Sequence, residues 1–121
     1  DSLDNVGSDP YWLGHEGVDP YKFVYDATKK NLDISNKFNK DHNIWIQCYG
    51  NPRGREEEII SATDAAYDAG ARTILAWGYR GSDANDYRAK NPELAWKITG
   101  DAMYRILERE RNSRRESYIT K

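Results

Sequence analysis

The sequence is poor in the features that mark specialised classes of protein. Its 121 residues include one cysteine, Cys48, which excludes an internal disulfide. No run comes near the roughly 18 apolar residues of a membrane-spanning helix, so we expect no membrane insertion. The net charge of −2 argues against nucleic-acid binding by a basic surface. The two histidines, His15 and His42, are isolated, so we expect no metal site and no cofactor.

Aromatic residues that have a polar atom are abundant by contrast. The chain has four tryptophans and nine tyrosines but two phenylalanines. Such rings suit sites that are partly apolar and partly hydrated, although they also fill ordinary cores. The abundance of tryptophan and tyrosine therefore has two alternative explanations, a binding surface or ordinary core packing.

Three apolar runs predict β-strands at residues 3–8, 43–49 and 72–78. A helical pattern follows each run, so the predicted order is βαβαβα. The runs are too continuously apolar for a sheet with one face in water, which predicts an α/β fold with parallel strands covered by helices. The length allows one domain, to which we assign residues 1–110. Residues 111–121 form a charged C-terminal tail that we expect to fray into solvent.

The predicted helices have recognisable start and stop signals. Asp19-Pro20 and Asn91-Pro92 each place an N-cap residue before a proline at the first helical position. The middle helix is predicted to have Glu56–Glu58 in its first turn, where the macrodipole favours negative charge, and to stop at Gly70. The apolar residues expected on the inner face of the first helix are Phe23, Val24, Ala27, Ile34 and Phe38.

Long connections follow the predicted strands, whereas the returns from helix to strand are short. In parallel α/β structures the C-terminal ends of the strands form the functional end of the molecule. Polar and aromatic residues at or just after the predicted strand ends are therefore the site candidates: Asp9, Tyr11, Trp12, Gln47, Tyr49, Trp77, Tyr79 and Arg80.

Three segments at these strand ends carry a resemblance to a known class of protein. They are VGSDPYW, IWIQCYG and ILAWGYRG. With them, residues 1 to about 110 resemble the C-terminal part of a TIM-barrel protein of the glycoside-hydrolase kind. The resemblance implies that the chain is the C-terminal portion of a (β/α)8 barrel and acts on carbohydrate. The first residues look like the middle of a longer chain, so we expect a fragment whose remaining catalytic residues lie upstream.

The resemblance also implies roles for the candidate residues. Asp9 is the candidate catalytic carboxylate, and Trp77 matches a tryptophan that floors the substrate site at the last strand. In many retaining glycosidases of this kind the strand before the last ends in the nucleophilic glutamate, where this chain has Gln47, which cannot act as the nucleophile. The residues expected to bind substrate are Tyr11, Trp12, Gln47, Tyr49, Trp77, Tyr79 and Arg80.

Each of these roles has a structural alternative. Asp9 could begin a turn with Pro10, Trp77 could pack inside the barrel, and Gln47 could satisfy backbone groups at the barrel mouth. At the level of function, a non-catalytic carbohydrate-binding barrel and a self-contained small α/β domain that binds a ligand or a protein remain open. The expected partners are a carbohydrate and, at the open sheet edges, either upstream chain or a second copy.

Overall fold

The computed structural model describes residues 4–78 and 87–120. A short 3₁₀ turn at Trp12–Gly14 lies in the first connection. The strands are β1 (Asn5–Ser8), β2 (Asp41–Gln47) and β3 (Ile74–Trp77). The helices are α1 (Pro20–Lys37), α2 (Glu58–Asp68) and α3 (Pro92–Ile119). The predicted order of strand and helix is confirmed.

The three strands form one parallel sheet in the order β1-β2-β3. Gly7 of β1 pairs with Asn43 of β2, and Gln47 of β2 pairs with Trp77 of β3. The predicted parallel α/β architecture is therefore confirmed. All three strands end at the same edge of the sheet, which we call the C-terminal edge.

Among the described residues, helices cover one face of this sheet and leave the other without a helix. Helix α1 packs against β1 and β2, α2 packs against β2 and β3, and the two helices pack against each other. Side chains of β2 alternate accordingly: Ile44 and Ile46 are fully buried towards the helices, whereas Trp45 between them is only partly buried. We call the opposite face, which includes Asn43, Trp45 and Trp77, the open face.

The capping signals at α1 and α3 act as predicted. The Asp19 carboxylate accepts a hydrogen bond from the Tyr21 N–H at 3.1 Å, and the Asn91 side chain accepts one from the Leu94 N–H at 3.3 Å. The start of α2 differs from the prediction, because only Glu58 lies in its first turn. Glu56 is buried before the helix and accepts a hydrogen bond from the Gly54 N–H at 2.8 Å. Tight turns at Arg55–Glu58 delay the start of the helix.

The predicted inner face of α1 is confirmed only in part: Val24 is buried, and Phe23 packs against the core while partly exposed. Of its five expected residues only Val24 is fully buried, and Ile34 and Phe38 are 49% and 60% exposed. The residues buried against the sheet are Val24, Thr28, Asn31 and Ser35. Small and polar side chains let the helix come close to β1, where the Asn31 amide donates a hydrogen bond to the Val6 carbonyl at 3.2 Å.

Helix α3 extends through the segment that we expected to fray, ending at Ile119. Its inner face is fully buried as far as Ile106, contacts with α2 continue to Glu110, and the described residues beyond Glu110 are solvent-exposed. Arg105 pairs with Asp64 of α2 at 2.8 Å, which fixes α3 along α2. Near its start, the Thr99 hydroxyl donates to the Cys48 sulfur at 3.2 Å, and burial raises the pKa of that thiol. None of the helices in the described residues is apolar over a length that would cross a membrane.

Candidate functional site

The C-terminal edge of the sheet carries the long connections of the chain. Residues 9–19 and 48–57 lead from β1 and β2 to their helices, and residues 78 and 87–91 are the described part of the segment between β3 and α3. The returns at 38–40 and 69–73 are short. Two of the long connections are joined by backbone hydrogen bonds: Gly50 N–H donates to the Tyr87 carbonyl at 3.1 Å, and Lys90 N–H donates to the Asn51 carbonyl at 2.9 Å. These bonds hold the loops beside one another at one end of the sheet.

A cavity of about 310 Å³ opens at this end, on the open face. This volume lies at the lower end of the range for small-molecule sites. Its lining combines two indole rings, a phenol, a carboxylate and the backbone of a strand end. The residues that line it are Gly7, Ser8, Asp9, Tyr11, Trp45 and Trp77.

Two tryptophans form a corner in the cavity. The ring centroids of Trp45 and Trp77 are 5.7 Å apart, and the ring planes meet at 79°. Trp77 is 52% exposed, so a large part of its indole is open to a ligand. Trp45 was not among the sequence-predicted site residues. Its position two residues before Gln47 places it on the same face, and the two-residue period of a strand would have identified it.

Asp9 and Tyr11 follow β1 and form the polar side of the cavity. Burial, followed by the negative charge of Asp9 and a hydrogen bond to it, raises the pKa of Tyr11 to about 12. The Tyr11 hydroxyl donates its one proton to the Asp9 carboxylate, and its oxygen can accept a hydrogen bond from a ligand. Asp9 itself is exposed at the mouth of the cavity, where its carboxylate can accept hydrogen bonds from a ligand.

Tyr49 supports this polar side rather than lining the cavity. Its ring lies edge-on to Tyr11, with a centroid distance of 5.3 Å, and 6.4 Å from the ring of Tyr87. Burial and the charge of Asp9 raise the pKa of Tyr49. Tyr49 therefore lies between Tyr11 and Tyr87 and packs against the Tyr11 ring.

Two predicted substrate-binding residues are buried away from the cavity. Trp12 is fully buried in the core, where its indole N–H donates to the Glu58 carboxylate at 3.0 Å. Glu58 also pairs with Arg55 at 2.6 Å, and this pairing, with the bond from Trp12, lowers the pKa of Glu58. Trp12 therefore ties the loop that contains Asp9 and Tyr11 to the start of α2.

Gln47 is 5% exposed at the end of β2, and both ends of its amide are occupied. Its oxygen accepts a hydrogen bond from the Leu13 N–H, and its nitrogen donates to the Tyr49 carbonyl, both at 3.3 Å. The side chain thus joins the first two loops of the C-terminal edge. Gln47 orders the backbone around the cavity and does not line it.

Two further candidates, Tyr79 and Arg80, lie outside the described residues. The candidates that the fold brings into one cavity are Asp9, Tyr11 and Trp77. Across residues 4–78 and 87–120, no group of three histidine, cysteine, aspartate or glutamate side chains is arranged to hold a metal ion.

Comparison with known proteins gives no relative from which a function could be transferred. No protein-family model, curated protein or solved structure matches this chain significantly. The function must therefore be inferred from the residues at the open face.

Proposed function

We propose that this chain is part of a carbohydrate-active TIM barrel and binds a sugar ring in the cavity at the C-terminal edge. The observation that carries the proposal is the half-exposed indole of Trp77, set at a corner with Trp45 and beside Asp9. An exposed indole face packs against the apolar C–H face of a sugar ring. The Asp9 carboxylate and the Tyr11 hydroxyl oxygen can accept hydrogen bonds from sugar hydroxyls.

The layer arrangement supports the barrel. In a barrel, helices cover the outer face of a parallel sheet and side chains of the other face point inwards. Here α1 spans β1 and β2, and α2 spans β2 and β3, so each helix covers its own strand and the next.

The space between β3 and helix α3 could hold a further strand. Among the described strands, none pairs with the outer edge of β3. A cavity of about 460 Å³ separates that edge from α3, with Leu75 and Ala76 on one side and Thr99 and Met103 on the other. A fourth parallel strand in this gap would be covered by α3 as β3 is covered by α2, which is how a barrel continues.

We propose Asp9 as one carboxylate of a glycoside hydrolase. Hydrolysis of a glycosidic bond needs two carboxyl groups, roughly 5 to 10 Å apart. Within the described part of the chain, Asp9 is the one carboxylate that lines the cavity. The second carboxyl group would come from another strand of the barrel, outside this chain.

A second candidate is a barrel that binds carbohydrate without cleaving it. The observation in its favour is Gln47, whose amide is engaged with backbone groups at a strand end where a nucleophilic glutamate would stand in the resembled enzymes. In this case Asp9 would only accept hydrogen bonds from sugar hydroxyls.

Titration with soluble oligosaccharides tests the binding proposal. Cellohexaose, xylohexaose, mannohexaose and maltohexaose are added separately to the nitrogen-15-labelled chain, and the indole N–H resonances are followed. We expect at least one sugar to shift the resonances of Trp45 and Trp77 while that of the buried Trp12 stays in place. If none of the four shifts the Trp77 resonance, the proposal is contradicted.

Hydrolysis of the bound sugar by the longer chain separates the two candidates, and Asp9→Asn in that chain then tests the role of Asp9. If Asp9 is catalytic, Asp9→Asn should lower kcat far more than it weakens binding. If Asp9 only accepts a hydrogen bond, kcat and affinity should fall by similar factors. The measurements are kcat on the bound oligosaccharide and its Kd. The exposed α1 carboxylate Asp33, changed to Asn, is the matched control and should alter neither.

A further inference from the structure

A chain of contacts on the open face leads from Gly7 to the tryptophan corner. Gly7 and Asn43 are paired across β1 and β2, so they lie side by side on this face. Gly7 also lines the cavity, but it has no side chain to offer a ligand. Its neighbour Asn43 occupies the space above it.

The space above Gly7 is available only because the residue is glycine. A Cβ built at Gly7 would lie less than 3.0 Å from the Asn43 side-chain oxygen, a distance that real Cβ contacts essentially never show. The backbone of Gly7 is an ordinary strand conformation, so the need for glycine comes from this close approach. Any larger residue would displace the Asn43 side chain.

Asn43 is held in this position by hydrogen bonds at both ends of its amide. Its nitrogen donates to the Asn5 side-chain oxygen at 2.6 Å. Its oxygen accepts the indole N–H of Trp45 at 3.0 Å. A tryptophan indole has one donor, and this bond therefore fixes the rotation of the Trp45 ring.

Trp45 in turn contacts Trp77. The Trp45 ring meets the Trp77 ring edge-on, so its orientation limits how the exposed Trp77 indole can turn. We propose that Gly7 and Asn43 are positioning residues, which orient Trp45 and through it the Trp77 face that receives the sugar. The role in sugar binding rests on the proposed function, whereas the orientation of the Trp45 ring does not.

The test is a double-mutant cycle of Gly7→Ala and Asn43→Ala. Gly7→Ala should displace Asn43 and shift the Trp45 indole N–H resonance, while the Trp12 resonance, held by Glu58, stays in place. Asn43→Ala should shift the Trp45 resonance too, because its acceptor is gone. In the Asn43→Ala background Gly7→Ala should add little, since the clashing oxygen is absent.

Gly14→Ala is the matched control, because a Cβ at Gly14 meets nothing within 4 Å. It should leave the Trp45 resonance where it is. For whichever hexasaccharide binds the wild-type chain, Gly7→Ala and Asn43→Ala should each weaken affinity about twofold to tenfold, the range of one aromatic contact.

Two results would overturn the positioning role. One is a Trp45 resonance that Gly7→Ala leaves unmoved in a folded chain. The other is a Gly7→Ala effect of the same size with and without Asn43, which would mean that the two residues act independently. A shifted resonance in a chain that binds no sugar would instead uphold the positioning of Trp45 and contradict the proposed function.

Discussion

The two faces of the sheet are built from the same strands but serve different purposes. Towards α1 and α2, strand β2 presents Ile44 and Ile46, both fully buried. Towards the open face it presents Asn43 and Trp45, joined by a hydrogen bond and partly exposed. The difference shows that one face provides packing energy, whereas the other leaves aromatic surface and polar atoms partly exposed.

A matched pair of tryptophans makes this comparison testable. Trp12→Ala should have the largest effect on stability and lower the free energy of unfolding by about 3–5 kcal/mol, because it empties a fully buried site. Urea denaturation followed by circular dichroism measures the loss. Trp77→Ala should cost much less, since that ring is 52% exposed. Equal losses in the two variants would contradict the division into a packing face and an open face.

For sugar affinity we expect the reverse order, with a larger effect of Trp77→Ala than of Trp12→Ala. Trp77→Ala should weaken binding of the sugar by about 1–3 kcal/mol, the scale of removing one large ring from contact. Isothermal titration calorimetry with the hexasaccharide that binds wild type provides the measurement. Trp96→Ala is the control, because Trp96 is 61% exposed on α3 and does not line the cavity. A comparable loss in Trp96→Ala would show that Trp77 has no special role.

The smallest expected effect concerns the protonation of Tyr11. Its folded-state pKa of about 12 lies above the ordinary value of 10.0, so the folded state favours the neutral phenol. The resulting stabilisation is fully present below pH 10 and is lost as the pH rises through about 12. Asp9→Asn removes a negative charge and should lower the pKa of Tyr11, which stays above its ordinary value because burial is the largest cause.

Carbon-13 labelling of the tyrosine rings allows the Tyr11 titration to be followed by NMR. Asp33→Asn, which removes an exposed carboxylate from α1, should leave the Tyr11 curve unchanged. A Tyr11 pKa that Asp9→Asn does not lower would mean that the Asp9 carboxylate does not act on the phenol. The polar side of the cavity would then consist of two independent groups.

Several features of the fold followed from local sequence signals. The Asp19-Pro20 and Asn91-Pro92 pairs start their helices as predicted, since capping depends on residues within one turn. Gly70, with a φ of 112°, ends the turn after α2 as expected. The apolar runs located the three strands to within a few residues, and the predicted parallel sheet is present. The continuity of the runs also predicted a sheet with no face in water. This is wrong for the described residues, where Leu75 and Trp77 are 37% and 52% exposed.

Two features of the helices were predicted wrongly. Apolar residues are normally assigned to the buried face, yet Ile34 and Phe38 of α1 are exposed while Thr28 and Ser35 are buried. Helix α3 continues past the expected tail, where the ion pairs of Arg111 with Glu108 and of Arg114 with Glu110 lie along its surface. Contacts with the sheet and with α2 select the buried side of α1, which residue type alone does not specify. The ion pairs of α3 are instead three and four residues apart, a local signal that the predicted tail overlooked.

For the site, the sequence by itself determined that aromatic and polar residues stand at the ends of three parallel strands, because strand ends in such a sheet share one edge. Only the tertiary structure decided which of them face the cavity. Trp12 follows β1 and Trp77 ends β3, but the loop around Trp12 folds back onto α2 and buries it, whereas Trp77 stays on the open face. The choice depends on contacts between residues 46 positions apart, Trp12 and Glu58, which no local pattern contains.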